Sequence, residues 1–99
     1  MELITALSST QARFILFVED NARHLIGMWN WDIPGYNAER VENYLSIASH
    51  SECIMLRFYL GVWLNSNDNF KFDILEAVEV LEQQDMNVII EWLSDPFWP

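Results

Sequence analysis

The sequence lacks most of the features by which enzymes and cofactor-binding proteins are recognised. It has one cysteine, Cys53, and its two histidines, His24 and His50, lie far apart with no zinc-ligand spacing around them. Its three glycines are isolated, so no glycine-rich loop is available to hold a phosphate. We therefore expect no catalytic residue, no metal and no cofactor, and we predict that the chain is not an enzyme.

Long hydrophobic runs are also missing. The most apolar stretch, Cys53 to Leu64, contains Arg57 and is much shorter than the ~20 residues that a membrane span requires. No cationic segment followed by an apolar one opens the sequence, so we expect no signal peptide. A lone cysteine is typical of a reducing compartment. These features predict a cytoplasmic protein that does not interact with membranes.

Positive charge is scarce. Five lysines and arginines stand against 15 acids, which gives a net charge of −10. A field of this sign repels nucleic acid and attracts basic protein surfaces, so we expect a basic protein surface as partner and no direct binding to nucleic acid. The imbalance is concentrated after residue 67, where Lys71 is the one base and the acids are Asp68, Asp73, Glu76, Glu79, Glu82, Asp85, Glu91 and Asp95.

Apolar and aromatic residues are abundant. Hydrophobic residues make up 52% of the chain and aromatic residues 14%, which is too much for a disordered acidic tail. Helical spacing of the apolar positions predicts an all-α protein, a single compact domain over residues 1–99. We expect about five short helices around a central apolar helix at residues 51–64, opened by the capping box of Ser49 and Glu52.

Capping residues and turn residues predict the remaining helix boundaries. The first helix follows Ser8–Thr10 and continues to about Met28, and the second begins at Asn37. The fourth begins at Asp73, which with Glu76 forms an acidic capping box. A break near Gln83-Gln84 follows, because Asp85 would otherwise lie on the apolar side of the helix. Asp85 then caps a last helix from Met86 to Leu93.

The acids of the fourth helix have two interpretations. Asp73, Glu76, Glu79 and Glu82 spread over one half of the helix, while the apolar residues from Ile74 to Leu81 centre on the core side. The acids could form a solvated face that complements the helix dipole. Alternatively, carboxylates three or four residues apart approximate the ~6–7 Å spacing of phosphates along a DNA strand, so the face could mimic DNA.

Two aromatic groups raise a similar question. Trp29 and Trp31 precede the turn at Pro34-Gly35, where they either fill the core or anchor an interface. Phe97 and Trp98 either fold back onto the core, which we expect, or contact a partner or second copy.

Part of the chain resembles a known group of proteins. Leu56 to Gly61, an asparagine-rich turn, Phe72-Asp73-Ile74 and a short leucine-rich helix resemble an uncharacterised family of small bacterial proteins, often encoded on plasmids or other mobile elements. The similar region covers residues 52–93. The resemblance implies a genomic neighbourhood of mobile elements and of the systems that oppose them. It implies no activity and no functional residues.

These observations lead to one functional expectation and one alternative. We expect a small acidic protein-binding module, a phage- or plasmid-encoded inhibitor of the anti-CRISPR or anti-restriction type. It would block a basic site of host nucleic-acid-targeting machinery by steric and charge mimicry. The expected contact residues are Asp73, Glu76, Glu79 and Glu82, with Trp29, Trp31 and Trp98 as apolar anchors. The alternative is a structural or regulatory homo-oligomer, such as a homodimer, of a mobile element.

Overall fold

Helix-capping side chains set the starts of most helices. A computed structural model describes residues 7–99, so the predicted domain is described without its residues 1–6. Helix α1 (Ser9–Ala22) follows Ser8, whose hydroxyl accepts a hydrogen bond from the Gln11 backbone N–H, while the Gln11 side chain accepts from the Ser8 N–H. Helix α2 (Ala38–Ile47) is capped by Asn37. These local bonds satisfy backbone donors that a helix start leaves unpaired.

Helix α3 (His50–Leu64) is the centre of the core. It opens with the predicted reciprocal capping box between Ser49 and Glu52 and ends at Asn65, which adopts the left-handed conformation with φ 50°. Most of its residues are buried because it is apolar on nearly all sides. The side chains that pack around it come from every other helix and include Phe14, Val18, Leu25, Trp29, Val41, Ala77, Ile89 and Phe97.

The first predicted helix is shorter than expected. Ala22 leaves the helical conformation, and a 3₁₀ helix (Arg23–Met28) replaces the last turns. Strands β1 (Trp29–Asn30) and β2 (Gly35–Tyr36) then form an antiparallel hairpin, with Trp29 opposite Tyr36. The tighter 3₁₀ winding changes the direction of the side chains and brings Trp29 into the core, 5.2 Å from the Phe14 ring.

The predicted break in the acidic region lies earlier than expected. Helix α4 (Ile74–Val80) ends before Leu81, and helix α5 (Gln83–Ser94) begins after Glu82. The predictions that Glu82 continues the acidic helix and that Asp85 caps the last one are therefore wrong. Asp85 lies in the first turn of α5. Leu81, whose backbone is extended, is buried in the core between the two helices.

The structure confirms the all-α fold. The radius of gyration of 13.2 Å matches the ~13 Å expected for a single compact domain of about 100 residues. Within residues 7–99 there are five α-helices, and the hairpin is the only sheet. None of the helices in this range has the length and apolar character needed to cross a membrane.

Replacing Leu60 by Ala tests the central position of α3. Leu60 is 0% exposed, so we expect its truncation to lower the free energy of unfolding by about 2–5 kcal/mol. Leu16 on α1 is 60% exposed, and Leu16→Ala should change it by less than about 0.5 kcal/mol. Urea titration followed by circular dichroism measures both values. Equal losses in the two variants would show that α3 is not the buried centre.

Candidate protein-interaction surface

Helix α4 exposes apolar side chains that were predicted to face the core. Only Ala77 of this seven-residue helix is buried, and Val80 is half-buried. Leu75 is 77% exposed and Val78 is 62% exposed, and Ile74 is also exposed. The prediction that these three residues face the core is therefore wrong. Helix α4 is only two turns long and packs against the core through Ala77. The rest of its apolar side is therefore left uncovered.

The exposed side of α4 combines an apolar stripe with an acidic edge. At ~100° per residue, Ile74, Val78 and Leu75 follow one another around the helix, and Glu79 and Glu76 come next in the same direction. We call these five residues the α4 surface. Carboxylates thus lie directly beside apolar side chains, rather than on the opposite half of the helix as the sequence had predicted.

The four predicted contact acids differ in whether they already form hydrogen bonds or ion pairs within the protein. Asp73 Oδ1 accepts hydrogen bonds from the backbone N–H groups of Leu75 (2.8 Å) and Glu76 (3.2 Å), so Asp73 serves as the α4 cap. Glu76 does not return the bond as predicted. Its Oε2 lies 3.2 Å from Nε2 of His50 at the start of α3. Glu79 and Glu82 are exposed, and neither forms an ion pair within residues 7–99. Of the four predicted contact acids, Glu79 is thus the one that lies on the α4 surface without a hydrogen-bond or ion-pair partner among residues 7–99.

An apolar groove continues from the α4 surface. Its volume is about 510 Å³, and it lies between the C-terminal half of α3, the following loop and α5. Grooves of ~300–1,000 Å³ with apolar walls are typical of binding sites. The walls include Phe58, Val62, Phe72, Ile89 and Trp92, and the exposed apolar residues at its rim are Ile74, Leu93 and Trp98.

The loop that forms one wall of the groove is held in a defined shape. The Asn67 side chain donates a hydrogen bond from Nδ2 to the Phe72 carbonyl (2.7 Å) and accepts one at Oδ1 from the Phe72 N–H (2.6 Å). Between them, Lys71 has a left-handed backbone with φ 54°, a conformation that non-glycine residues adopt only when their surroundings enforce it. The groove wall is thus preorganised by Asn67.

The three predicted tryptophan anchors lie in different environments. Trp29 is 3% exposed and packs with Trp31 and Trp63, at centroid distances of 6.1 and 6.2 Å. Trp31 is half-buried in the same cluster. Trp98 is 48% exposed and packs edge-on against Trp92, with 5.6 Å between the ring centroids. The structure therefore brings only Trp98 to the groove and to the α4 surface.

The neighbouring residue, Phe97, fixes the position of Trp98. Phe97 is buried, and the Arg13 guanidinium lies 4.1 Å from its ring centroid. Arg13 also forms an ion pair of 2.9 Å with Asp95, and Trp92 Nε1–H donates to the Phe97 carbonyl (3.0 Å). The expected return of Phe97 to the core is therefore seen, while Trp98 beside it stays about half exposed.

The exposed side of α4 and the groove beside it form a surface with an apolar and an acidic part. Within residues 7–99, no three histidine, cysteine or acidic side chains converge in metal-binding geometry. No protein-family model, curated protein or solved structure matches the chain.

Alanine substitutions at Phe97 and Trp98 test the different roles of the two aromatic residues. Because Phe97 is buried, Phe97→Ala should lower the free energy of unfolding by about 3–5 kcal/mol. Trp98→Ala should cost less than half as much, because about half of that side chain is already in solvent. Chemical denaturation of both variants measures the difference. A larger loss for Trp98→Ala would mean that Trp98, too, is primarily a core residue.

Proposed function

We propose that the protein is a small acidic protein-binding module that contacts its partner through the α4 surface and the apolar groove. The observation that carries the proposal is the exposure of Ile74, Leu75 and Val78 beside the carboxylates of Glu76 and Glu79. A contiguous apolar patch rimmed by charged side chains is typical of protein interaction sites. Leu93 and Trp98 extend the patch at the groove.

The chemistry of this surface defines the partner. Leu75 and Val78 favour an apolar stripe on the other protein, and Glu76 and Glu79 favour lysine or arginine beside that stripe. An amphipathic basic helix satisfies both requirements, because its apolar face can lie along the groove while its charges meet the acidic edge. The net charge of −10 adds long-range attraction and should raise the association rate at low salt.

A nucleic-acid-binding protein is the partner class that we propose. Its basic site would be covered by the α4 surface, so inhibition would combine steric blocking with charge mimicry of DNA. This is the mode of a phage- or plasmid-encoded inhibitor of the anti-CRISPR or anti-restriction type, acting in the cytoplasm without binding nucleic acid or membranes itself. The excess of acids after residue 67 and the resemblance of residues 52–93 to mobile-element proteins support this version.

Charge mimicry by this surface rests on fewer residues than a continuous acidic helix would provide. Asp73 is engaged as a cap and Glu82 lies beyond the end of α4. Glu79, and Glu76 with its contact to His50, therefore supply the charge within the α4 surface. The apolar stripe supplies the larger part of the contact, so steric occupation should contribute more than electrostatic imitation.

A homo-oligomer is the alternative, because the same apolar stripe could be buried between two copies. A two-fold contact through α4 would bring Glu79 of one copy close to the acids of the other. Such juxtaposed like charges oppose association, and each copy also carries a charge of −10. Electrostatics therefore favours a basic partner over a second copy. Sedimentation velocity at low and high salt separates the alternatives, since a monomer is expected in both.

A pair of charge-reversed variants tests the function. Glu76→Lys/Glu79→Lys alters the α4 surface, and Glu39→Lys/Glu42→Lys is the matched control. Both pairs are three residues apart on a helix, and each includes an acid in the first turn. Each immobilised protein is exposed to a bacterial lysate at low and high salt, and captured proteins are quantified by mass spectrometry.

We expect the wild-type and control proteins to capture the same nucleic-acid-binding protein at low salt. The α4 variant should capture it at least about tenfold less, because repulsion between like charges at an interface costs several kcal/mol. The purified partner should then lose its nucleic acid when the wild-type protein is added. Equal capture by all three proteins, or an unchanged complex between partner and nucleic acid, would contradict the proposal.

A further inference from the structure

Aromatic rings make up much of the accessible wall of the apolar groove. Phe72 and Trp92 are half-buried and Trp98 is exposed, so each of these rings keeps surface that an occupant of the groove can touch. Phe58 and Ile89, by contrast, are almost completely buried and contribute little accessible surface. A side chain that enters the groove therefore meets aromatic rings to a large extent.

Trp92 and Trp98 form a corner in the groove. Their ring centroids are 5.6 Å apart, and their planes are inclined at 89°. An aromatic ring has a negative face and a positive edge, and ring pairs prefer edge-to-face or offset arrangements at centroid distances of ~4.5–7 Å. Two perpendicular rings offer a third ring both a face and an edge. An aliphatic side chain of the same area gains nothing from this geometry, so the corner favours an aromatic occupant.

The polar groups beside the corner are already paired. The Trp92 Nε1–H donates to the Phe97 carbonyl, and the Asn67 side chain is bonded to both backbone groups of Phe72. These bonds also fix the orientation of the walls, so little side-chain freedom is lost when the groove is filled. The occupant needs no hydrogen-bonding group at these positions, and an apolar ring such as that of phenylalanine meets this condition.

A carboxylate lies close to the groove along α4. Ile74 belongs both to the rim of the groove and to the α4 surface, and Glu79 follows it by five residues, which is about 7.5 Å along the helix axis. Glu79 is exposed and has no hydrogen-bond or ion-pair partner among residues 7–99. Residues four apart on a partner helix are separated by about 6 Å along its axis. A helix anchored in the groove can thus place a cationic side chain beside Glu79 from its next turn.

We propose that the groove receives an aromatic side chain from a helix of the partner, with a lysine or arginine one turn further along that helix at Glu79. The inference rests on the proposed function and adds the identity of the partner's anchor to it. The partner segment then has an aromatic residue followed four positions later by a basic one. A helix with only leucine and valine on its apolar face would leave the corner of Trp92 and Trp98 without a matching ring.

Designed helical peptides serve as probes in place of the partner. Each is an alanine- and glutamine-rich peptide of about 18 residues, which is long enough to be partly helical in water. The first carries one phenylalanine and, four residues later, an arginine. The second replaces the phenylalanine by cyclohexylalanine, which has a saturated ring of similar size and greater hydrophobicity. The third replaces the arginine by glutamate.

Isoleucine methyl groups provide the readout. The protein with ¹³C-labelled isoleucine methyl groups is titrated with each peptide. Ile74 and Ile89 line the groove, while Ile33 and Ile47 are exposed and do not line it. We expect the phenylalanine peptide to shift the first two signals in a saturable way and to leave the other two unchanged.

Both replacement peptides should bind more weakly than the first. The cyclohexylalanine peptide should lose about threefold or more in affinity despite its greater hydrophobicity, because a saturated ring lacks the charge distribution of an aromatic one. The glutamate peptide should lose at least about tenfold, because like charges repel at an interface. Equal or tighter binding of either replacement peptide, or no shift of the groove signals with any peptide, would overturn the inference. Capture from a lysate by the α4 surface is a separate measurement, so failure of this inference is distinguishable from failure of the proposed function.

Variants of the protein locate the two contacts. Trp98→Leu keeps an apolar side chain but removes one ring of the corner, and it should abolish the preference for phenylalanine over cyclohexylalanine. Glu79→Gln should weaken binding of the arginine peptide by about threefold. Glu42→Gln, at an exposed position of α2, removes the same charge elsewhere and should leave the affinity unchanged. An unchanged preference in Trp98→Leu, or equal effects of the two glutamine variants, would refute the assignment.

Discussion

Because helix α3 is apolar on nearly every side, all of its faces must be covered at once, and the other elements are arranged to do so. Phe14 and Val18 of α1, Val41 of α2 and Ile89 of α5 each contribute buried side chains to the same cluster. Helix α4 contributes mainly Ala77. Because this side chain is small, it can be buried while most of the helix stays exposed. The exposure of the rest of α4 is thus a consequence of how α3 is covered. The candidate interaction surface consists of the apolar side chains of α4 that the core does not bury.

The parts of the fold that depend on local chemistry could be predicted from the sequence. Ser8, Asn37, Ser49 and Asp73 each cap a helix, because a cap needs only a side chain and the next few backbone N–H groups. The apolar run of α3 predicted a buried central helix, because a helix that is apolar on nearly all sides must be covered by other elements. The end of α1 could not be predicted in this way. It depends on the packing of Trp29 against Phe14 and Trp63, residues far apart in the sequence.

The candidate site was predicted only in part, and for a physical reason. Hydrophobic periodicity identifies an apolar arc on a helix, but it does not say how much of that arc a neighbouring element covers. Ile74, Leu75 and Val78 were therefore assigned to the core, although α4 is too short to bury them. The apolar groove left no signal of this kind, because its lining residues come from separate parts of the chain, residues 58–74, residues 89–93 and Trp98.

The central claim is that the exposed apolar stripe of α4 contacts a basic protein partner. The most direct measurement is photo-crosslinking in bacterial cells with benzoylphenylalanine at Leu75, which is 77% exposed, compared with the same group at Leu16 on α1, which is 60% exposed. The account predicts one adduct at position 75, absent at position 16, joined to a basic segment of a nucleic-acid-binding protein. An adduct with a second copy of the chain, or the same adducts at both positions, would contradict it.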